Sequence, residues 1–337
     1  MNGLSFKKSL LFLLTALLLL SPLAGCTTDE GQGDSPTQRT AVRIASMRGP
    51  TTMGMVKLMD NADKGEAKHD YSFTMTGTAD EIVALLSKGE IDVAAISCNV
   101  AAALYQRLEG QVKVAAINTL GVLYVVETGE SIESVKDLAG KTVYATGKGM
   151  TPEYVFNYIL AANGLDPNSD LTVEYRSEAA EVTALMAQNV ASIAVLPQPF
   201  VITAQESNDA LRVALDLTQE WEETLEHPSK SALVTGVILV RNAFLEEHKA
   251  AFDEFLEEYR ASVEFVNANT EEAAKLIAAL EIAPEEVAKK AIPLCNIVYI
   301  DGDEMQDKVA GYLGVLYGQN PDSVGGALPD EAFYYKK

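Results

Sequence analysis

The sequence predicts an α/β protein of two lobes, each a mostly parallel sheet flanked by helices, and three patterns indicate this class. From residue 41 onward, β-type runs alternate with helical runs of about ten residues, as in right-handed βαβ units. The alternation restarts after residue 121, which indicates a second module of similar build. A tail of helical runs then follows. Length alone allows one domain or two, and the restart favours two.

The first module is predicted over residues 41–121. Period-two and apolar runs place its strands at 42–46, 71–75, 92–96 and 112–117, and 3.6-residue periodicity places helices at 79–87 and 100–108. A polar turn, Arg48 to Gly54, follows the first strand and leads into a further helix. The order of these runs predicts a sheet whose strands share one direction.

The second module is predicted over residues 122–236, with strands at 122–127, 142–145, 171–175, 192–196 and 211–215 and helices at 151–162, 179–187 and 200–207. The apolar run 231–240 is long enough to recross to the first module. Helices predicted at 243–267, 270–280, 284–291 and 303–317 then cover the first sheet. The first lobe is therefore discontinuous, 41–121 and 237–337, the second is 122–236, and two strands act as the hinge.

The amino terminus has the pattern of an export signal. Lys7 and Lys8 precede an apolar stretch at 10–20 that is too short to span a bilayer comfortably, and small residues lead up to Cys26. This order predicts a lipoprotein signal peptide at 1–25, lipidation of Cys26 and a polar tether at 26–40. The mature protein is then expected at the extracytoplasmic face of the cell membrane, held there only by its lipid.

Charge excludes one class of partner. The chain has 48 acidic and 26 basic residues and a net charge of −22, and removal of the signal with its two lysines takes the charge to −24. Such a chain repels nucleic acid.

The three histidines lie far apart, so no metal site is expected. No GxSxG motif accompanies a placed histidine, and no cofactor or enzymatic activity is predicted. The sequence leaves open whether Cys98 and Cys295 are free thiols or form a disulfide with each other.

Four stretches carry a resemblance to a known family. They are the opening strand and turn at 43–54, TADEIVALLSKGEIDVA at 78–94, VKDLAGKTV at 135–143, and the run 234–240 followed by a long acidic helix. In this order they resemble ABC-transporter substrate-binding lipoproteins of the type II periplasmic binding protein fold, in the group serving nitrate, sulfonate, taurine and thiamine-precursor import. The resemblance implies a monomeric receptor that delivers a small organic solute to a permease and its ATPase.

In open α/β sheets, ligands bind beyond the carboxyl ends of the strands, where loops and helix starts meet. The turns at these positions supply the expected ligand contacts, and the alternative is an ordinary capped helix start, or a strand terminator at Gln198. The residues are Pro50, Thr51, Thr52 and Met53 after the first strand, Ser97, Cys98 and Asn99 after the third, Thr119 after the fourth, and Gly149, Met150, Thr151 and Gln198 in the second lobe.

Two alternatives stay open on the sequence. An enzyme of the same fold, acting on a thiamine-pyrimidine-like or menaquinone-pathway substrate, is one, and a ligand sensor is the other. The ligand is a sulfonate, a pyrimidine or a similar compact solute, and the scarcity of charge in the proposed turns leaves its sign open. Trp221, the only tryptophan, is expected to pack at the surface or the hinge rather than stack on the ligand.

Overall fold

The computed structural model describes residues 39–225 and 230–337 of the 337-residue chain. The predicted signal peptide, Cys26 and all but the last two residues of the predicted tether lie outside the described residues. Arg39–Lys337 is one compact unit. In the ranges just given, no helix is long and apolar enough to cross a bilayer.

Eleven strands are present in the described part of the chain. They are β1 (Ala41–Met47), β2 (Asp70–Thr76), β3 (Val93–Ser97), β4 (Val112–Thr119), β5 (Leu123–Thr128), β6 (Thr142–Thr146), β7 (Thr172–Arg176), β8 (Ile193–Pro197), β9 (Leu211–Asp216), β10 (Gly236–Arg241) and β11 (Ile297–Ile300).

The same ranges hold twelve α-helices. They are α1 (Pro50–Met53), α2 (Val56–Asp63), α3 (Ala79–Ser87), α4 (Cys98–Arg107), α5 (Thr151–Ala162), α6 (Ala179–Ala187), α7 (Phe200–Ser207), α8 (Leu217–Glu223), α9 (Asn242–Ala268), α10 (Thr270–Ala279), α11 (Glu285–Ala291) and α12 (Gly302–Gln319).

The strands form two mixed sheets, which confirms the predicted α/β class. The first sheet has the order β11-β4-β10-β3-β1-β2 and the second the order β7-β6-β8-β5-β9. In the first sheet β1 pairs parallel with β2 and β3, whereas β10 runs antiparallel to both of its neighbours. In the second sheet β5 is the strand that runs against β8 and β9. Strands β1 to β4 share one direction in the first sheet, and β6 to β9 share one direction in the second. Strands β10 and β11 in the first sheet and β5 in the second run against them, so both sheets are mixed.

Two connections join the sheets. The first crossing segment, residues 120–122, links β4 to β5, and the second crossing segment, residues 230–235, leads into β10. The two are held together where the N–H of Thr235 donates to the carbonyl of Thr119 at 3.0 Å. The predicted lobe boundaries, 41–121 with 237–337 and 122–236, stay a prediction.

Helix prediction succeeded for four helices of eight to twelve residues. The bounds of α3, α5, α6 and α7 are those predicted from the sequence. Helix α8 and strand β11 were not predicted. Each is short, and tertiary pairing rather than local pattern stabilises such elements: β11 exists because it pairs antiparallel with β4 at the edge of the first sheet.

The helical tail packs on the first sheet. Phe252, Phe255, Tyr259, Val263 and Val266 of α9 are spaced at three or four residues and form one buried face. They belong to the hydrophobic cluster that contains side chains of β1, β10 and α2. Helix α12 covers α4 and β4 and also reaches α5, which follows a strand of the second sheet. The tail therefore contacts elements attached to both sheets.

Glu127 fastens the loop that follows β5 in the second sheet. Its carboxylate is 1% exposed and accepts the N–H groups of Ser131 and Ile132 at 3.2 and 3.1 Å, and Arg212 donates to it as well. Burial favours the neutral carboxyl, but the bonds from Ile132, Ser131 and Arg212 outweigh it and hold the pKa of Glu127 below its ordinary value. The ionised form is therefore the one that stabilises the fold.

A Glu127→Gln variant should lose about 1–3 kcal/mol of unfolding free energy at pH 7, because charge-assisted bonds become neutral ones. A carboxylate with a lowered folded-state pKa stabilises above the unfolded-state pKa of about 4.3 and stops doing so as pH falls through the folded-state value. Urea titrations at pH 7 and pH 3 measure this. The difference in unfolding free energy between wild type and Glu127→Gln should be smaller at pH 3 than at pH 7. Glu133→Gln, which changes an exposed side chain, should have the same unfolding free energy as wild type at both pH values. An unchanged difference between wild type and Glu127→Gln at pH 3 would contradict the prediction.

Candidate functional site

Three of the predicted ligand residues meet at the carboxyl edge of the first sheet. Gly236 at the start of β10 pairs with Ser97 of β3 on one side and with Thr119 of β4 on the other. A Cβ at Gly236 would lie 2.6 Å from the methyl carbon of Thr51 and 2.4 Å from Oδ1 of Asn118. Glycine is therefore needed here because α1 lies directly over the strand.

The turn after β1 is closed by its own hydroxyls. Thr51 Oγ1 donates to the carbonyl of Met47 at 2.8 Å, and the hydroxyl of Thr52 lies 2.8 Å from that of Ser46. Both threonines are buried, and Pro50 is half-buried at the first position of α1. The carbonyl of Thr51 accepts from the Asn118 amide at 3.2 Å. These contacts fix the turn against β4.

Met53 and Cys98 lie in the hydrophobic core. Both are fully buried, and the Sδ of Met53 is 3.9 Å from the Sγ of Cys295. Cys98 and Cys295 are both free. Burial raises the pKa of the Cys98 thiol, which keeps it protonated and unreactive as a nucleophile.

Asn99 and Thr151 make direct contact although they follow strands of different sheets. The hydroxyl of Thr151 at the start of α5 donates to Oδ1 of Asn99 in α4 at 2.9 Å, and each residue is 8% exposed. The amide nitrogen of Asn99 donates to the carbonyl of Ser323 at 3.3 Å. Met150 is the N-cap of α5, so the Thr151 hydroxyl is available for this contact.

Gln198 lies against the first crossing segment. It follows β8, and its backbone N–H donates to the carbonyl of Val122 at 2.9 Å. The residue is 1% exposed. Neither its Oε1 nor its Nε2 has a hydrogen-bond partner in the described part of the chain.

Other buried polar atoms beside the crossing segments share this condition. Oδ1 of Asn118 and the hydroxyls of Thr119 and Thr235 also have no partner among residues 39–225 and 230–337. We call Asn118, Thr119, Gln198 and Thr235 the junction cluster. Native proteins leave few buried polar groups unpaired, so these four residues are candidates for contact with a further molecule. Asn118 and Thr235 were not predicted, although each is the polar residue at one end of an apolar strand run, and that signal identifies both.

The loop before α5 does not join this group. Gly149 and Met150 are exposed, Met150 by 47%, and the Gly149 N–H is bonded to the Glu153 side chain. Lys148 lies 5.8 Å from the ring of Tyr175 on the same surface. The structure thus gathers Thr51, Ser97, Asn99, Thr119, Thr151 and Gln198 near the crossing segments and leaves Gly149 and Met150 outside. Contact of any of these residues with a ligand stays a prediction.

Charged side chains are paired elsewhere. The carboxylate of Asp92 is held by Arg43, that of Glu127 by Arg212, and His69 by Glu254. None of these residues adjoins the junction cluster in a strand pairing or in a hydrogen bond. Within the described ranges no group of three or more potential metal ligands is found. A surface groove lined by Arg260, Asn267 and Tyr299 contains none of the predicted ligand residues.

Two mixed sheets joined by two crossing segments, with uncharged polar groups buried between them, define the class as the two-lobed type II periplasmic binding protein fold. A family model described as menaquinone biosynthesis matches residues 50–292. The chain therefore belongs to the menaquinone biosynthesis family, the group that sequence analysis named for the enzymatic alternative. No curated protein sequence matches the chain.

Solved structures of low sequence identity confirm the predicted fold. A structure described as an ABC transporter from Parabacteroides distasonis is 24% identical, with a TM-score of 0.74 over 88% of this chain and 99% of that one. The periplasmic aliphatic sulphonate binding protein of Escherichia coli is 17% identical, with a TM-score of 0.70 over 88% and 92%. The periplasmic nitrate-binding protein of Synechocystis is 15% identical, with a TM-score of 0.55 over 81% and 76%.

Proposed function

We propose that the protein is the solute-binding component of an ABC importer. It captures a small organic solute between its lobes and delivers it to a membrane permease driven by an ATPase. It is monomeric, it catalyses no reaction, and a lipid on Cys26 anchors it at the extracytoplasmic face of the membrane. The single observation that carries the proposal is the junction cluster, because buried amide and hydroxyl groups without protein partners are suited to hold a polar solute.

The position of the cluster supports capture by lobe closure. Asn118 and Thr119 precede the first crossing segment, Thr235 ends the second, and Gln198 is bonded to Val122. A solute held there contacts both sheets and therefore binds the closed arrangement more tightly than the open one. The difference between these two binding free energies is what favours closure. Structures of similar fold carry the names of sulphonate- and nitrate-binding proteins, which supports the same role.

Membership of the menaquinone biosynthesis family favours a second candidate, an enzyme of this fold acting on a menaquinone-pathway substrate. A nucleophile or general base must be able to reach the substrate. Both thiols, Cys98 and Cys295, are buried and burial raises their pKa, and the cluster itself consists of amides and hydroxyls. These groups bind and orient better than they transfer protons, so we prefer the receptor.

A ligand screen with product analysis separates the two. Thermal-shift assays of the full chain against sulfonates, nitrate, pyrimidines, flavins and amino acids should find a compound that raises the melting temperature. Proton NMR of that compound after prolonged incubation with the protein should show it unchanged. Conversion to a product would establish the enzyme and overturn the receptor.

Cys26→Ser should abolish labelling by radioactive palmitate in bacterial cells, and persistent labelling of the variant would contradict the proposed lipid anchor.

Removing the hydroxyl that joins the lobes should weaken binding. In Thr151→Val, Oδ1 of Asn99 loses its donor and closure becomes less favourable by about 1.4 kcal/mol, which corresponds to a roughly tenfold higher Kd for the ligand found by screening. Isothermal titration calorimetry measures the change. Thr183→Val is the matched control, since that hydroxyl bonds only the Ala179 carbonyl within α6, and its Kd should equal that of wild type. Equal affinity in both variants would rule out this contact as part of closure.

A further inference from the structure

Both polar atoms of the Gln198 side chain, Oε1 and Nε2, are available to hydrogen-bond a ligand. An amide offers two N–H donors and an acceptor oxygen, and here no described residue uses any of them although the side chain is almost fully buried. The backbone is fixed by the bond to Val122. A buried primary amide in this condition is suited to pair with a group that presents an acceptor and a donor side by side.

The other members of the junction cluster present the same uncharged chemistry. The Asn118 amide nitrogen donates to the carbonyl of Thr51, no described group donates to its Oδ1, and the buried hydroxyl of Tyr259 lies against the same side chain. Thr119 and Thr235 each contribute a hydroxyl that both donates and accepts. The cluster therefore offers donors and acceptors in similar number, which suits a ligand with both kinds of group.

The surroundings are unfavourable for an anion. Thr218, whose hydroxyl would be 2.1 Å from a Cβ at Gly121 of the first crossing segment, has its N–H bonded to the carboxylate of Asp216. The N–H of Cys98, at the start of α4, is already bonded to the carbonyl of Thr235, so this helix start has one fewer free donor. A buried anion without a cationic partner is strongly disfavoured, and the cluster provides no cation.

We infer that the solute is uncharged and carries an amide, lactam or urea edge, and that Gln198 recognises this edge through a pair of hydrogen bonds. The inference rests on the proposed receptor function and names the ligand class for the same site. A site built to hydrogen-bond a neutral edge rejects analogues that lack it, because its buried groups are then left unpaired.

The test compares matched triplets that differ in one substituent. Nicotinamide, nicotinate and pyridine-3-sulfonate form one triplet, benzamide, benzoate and benzenesulfonate a second, and uracil with orotate extends the set. Thermal shift and calorimetry on the full chain should show binding by uncharged members at least about 100-fold tighter than by their charged partners. The preferred amide should lose its effect in Gln198→Met and Gln198→Glu and keep it in Gln219→Met, which changes an exposed glutamine of α8.

Each result bears on the inference separately from the proposed function. Tighter binding of a carboxylate or sulfonate than of its amide overturns the ligand class and leaves the receptor standing. Amide binding that survives Gln198→Met overturns the role of Gln198. If no member of any triplet binds, the inference is also overturned. The proposed receptor function is then tested by the screen with nitrate, flavins and amino acids and by the product analysis.

Discussion

Replacing Gln198 with methionine should raise the unfolding free energy of the ligand-free protein by about 1–3 kcal/mol. The amide is buried without a partner among the described residues, and the desolvation penalty of such a group disappears when an apolar side chain of similar length takes its place. Methionine is flexible enough to fill the same space. A gain in stability combined with a loss of binding is the pattern expected where a site is kept polar for its ligand.

Equilibrium urea denaturation followed by circular dichroism measures this gain. Gln106→Met is the matched control, because the Gln106 amide donates to the carbonyl of Ala327 at 3.1 Å and its loss should lower stability by up to about 1 kcal/mol. Opposite signs for the two variants are therefore expected. A loss of more than 1 kcal/mol in Gln198→Met would mean that the amide is satisfied in solution, and the junction cluster would then lose its main member.

Truncating Trp221 to alanine should lower the unfolding free energy by about 3–5 kcal/mol, the range for a large aromatic side chain removed from a core. The indole is fully buried, with its ring centre 4.7 Å from that of Tyr158 in α5 and 5.6 Å from that of Tyr312 in α12. Sequence analysis expected packing at the surface or hinge. The packing is present, but the surface position was wrong, because α12 covers the indole.

The same denaturation assay is needed for Trp221→Ala, since the variant has no tryptophan fluorescence. Trp221→Phe should lose only about 1–2 kcal/mol, because a ring still contacts Tyr158 and Tyr312 and the unpaired indole N–H is removed. Exposed Val190→Ala should remain within about 0.5 kcal/mol of wild type. A loss below 1 kcal/mol in Trp221→Ala would show that these aromatic contacts contribute little to the fold.

The agreement between predicted and observed elements follows from local physics. The bounds of α3, α5, α6 and α7 could be predicted from helical runs that lie between turn residues, and Pro152 stands in the first turn of α5. Strand β11 and helix α8 are short and are stabilised by pairing and packing with distant residues. Their patterns carried too little local signal to be predicted.

Some residues of the candidate site could likewise be predicted from the sequence, and others could not. The rule that ligands bind beyond strand ends led to Thr119 and Gln198, because strand ends are visible in a sequence. It also led to Gly149 and Met150, which stand at the corresponding strand end yet are exposed. Which members of a loop turn inward depends on the chain packed against them. Asn118 was missed although it directly follows the predicted strand 112–117.

The sequence by itself determined the α/β class, the two modules and the strand ends at which a site forms, since apolar period and turn residues specify these locally. Only the tertiary structure decided which side chains meet there. Asn99 and Thr151 are 52 positions apart and bond to one another, whereas the Gln198 side chain, which is also buried, has no hydrogen-bond partner among the described residues. Pairing of this kind is set by contacts between residues remote in the chain, for which a local pattern holds no signal.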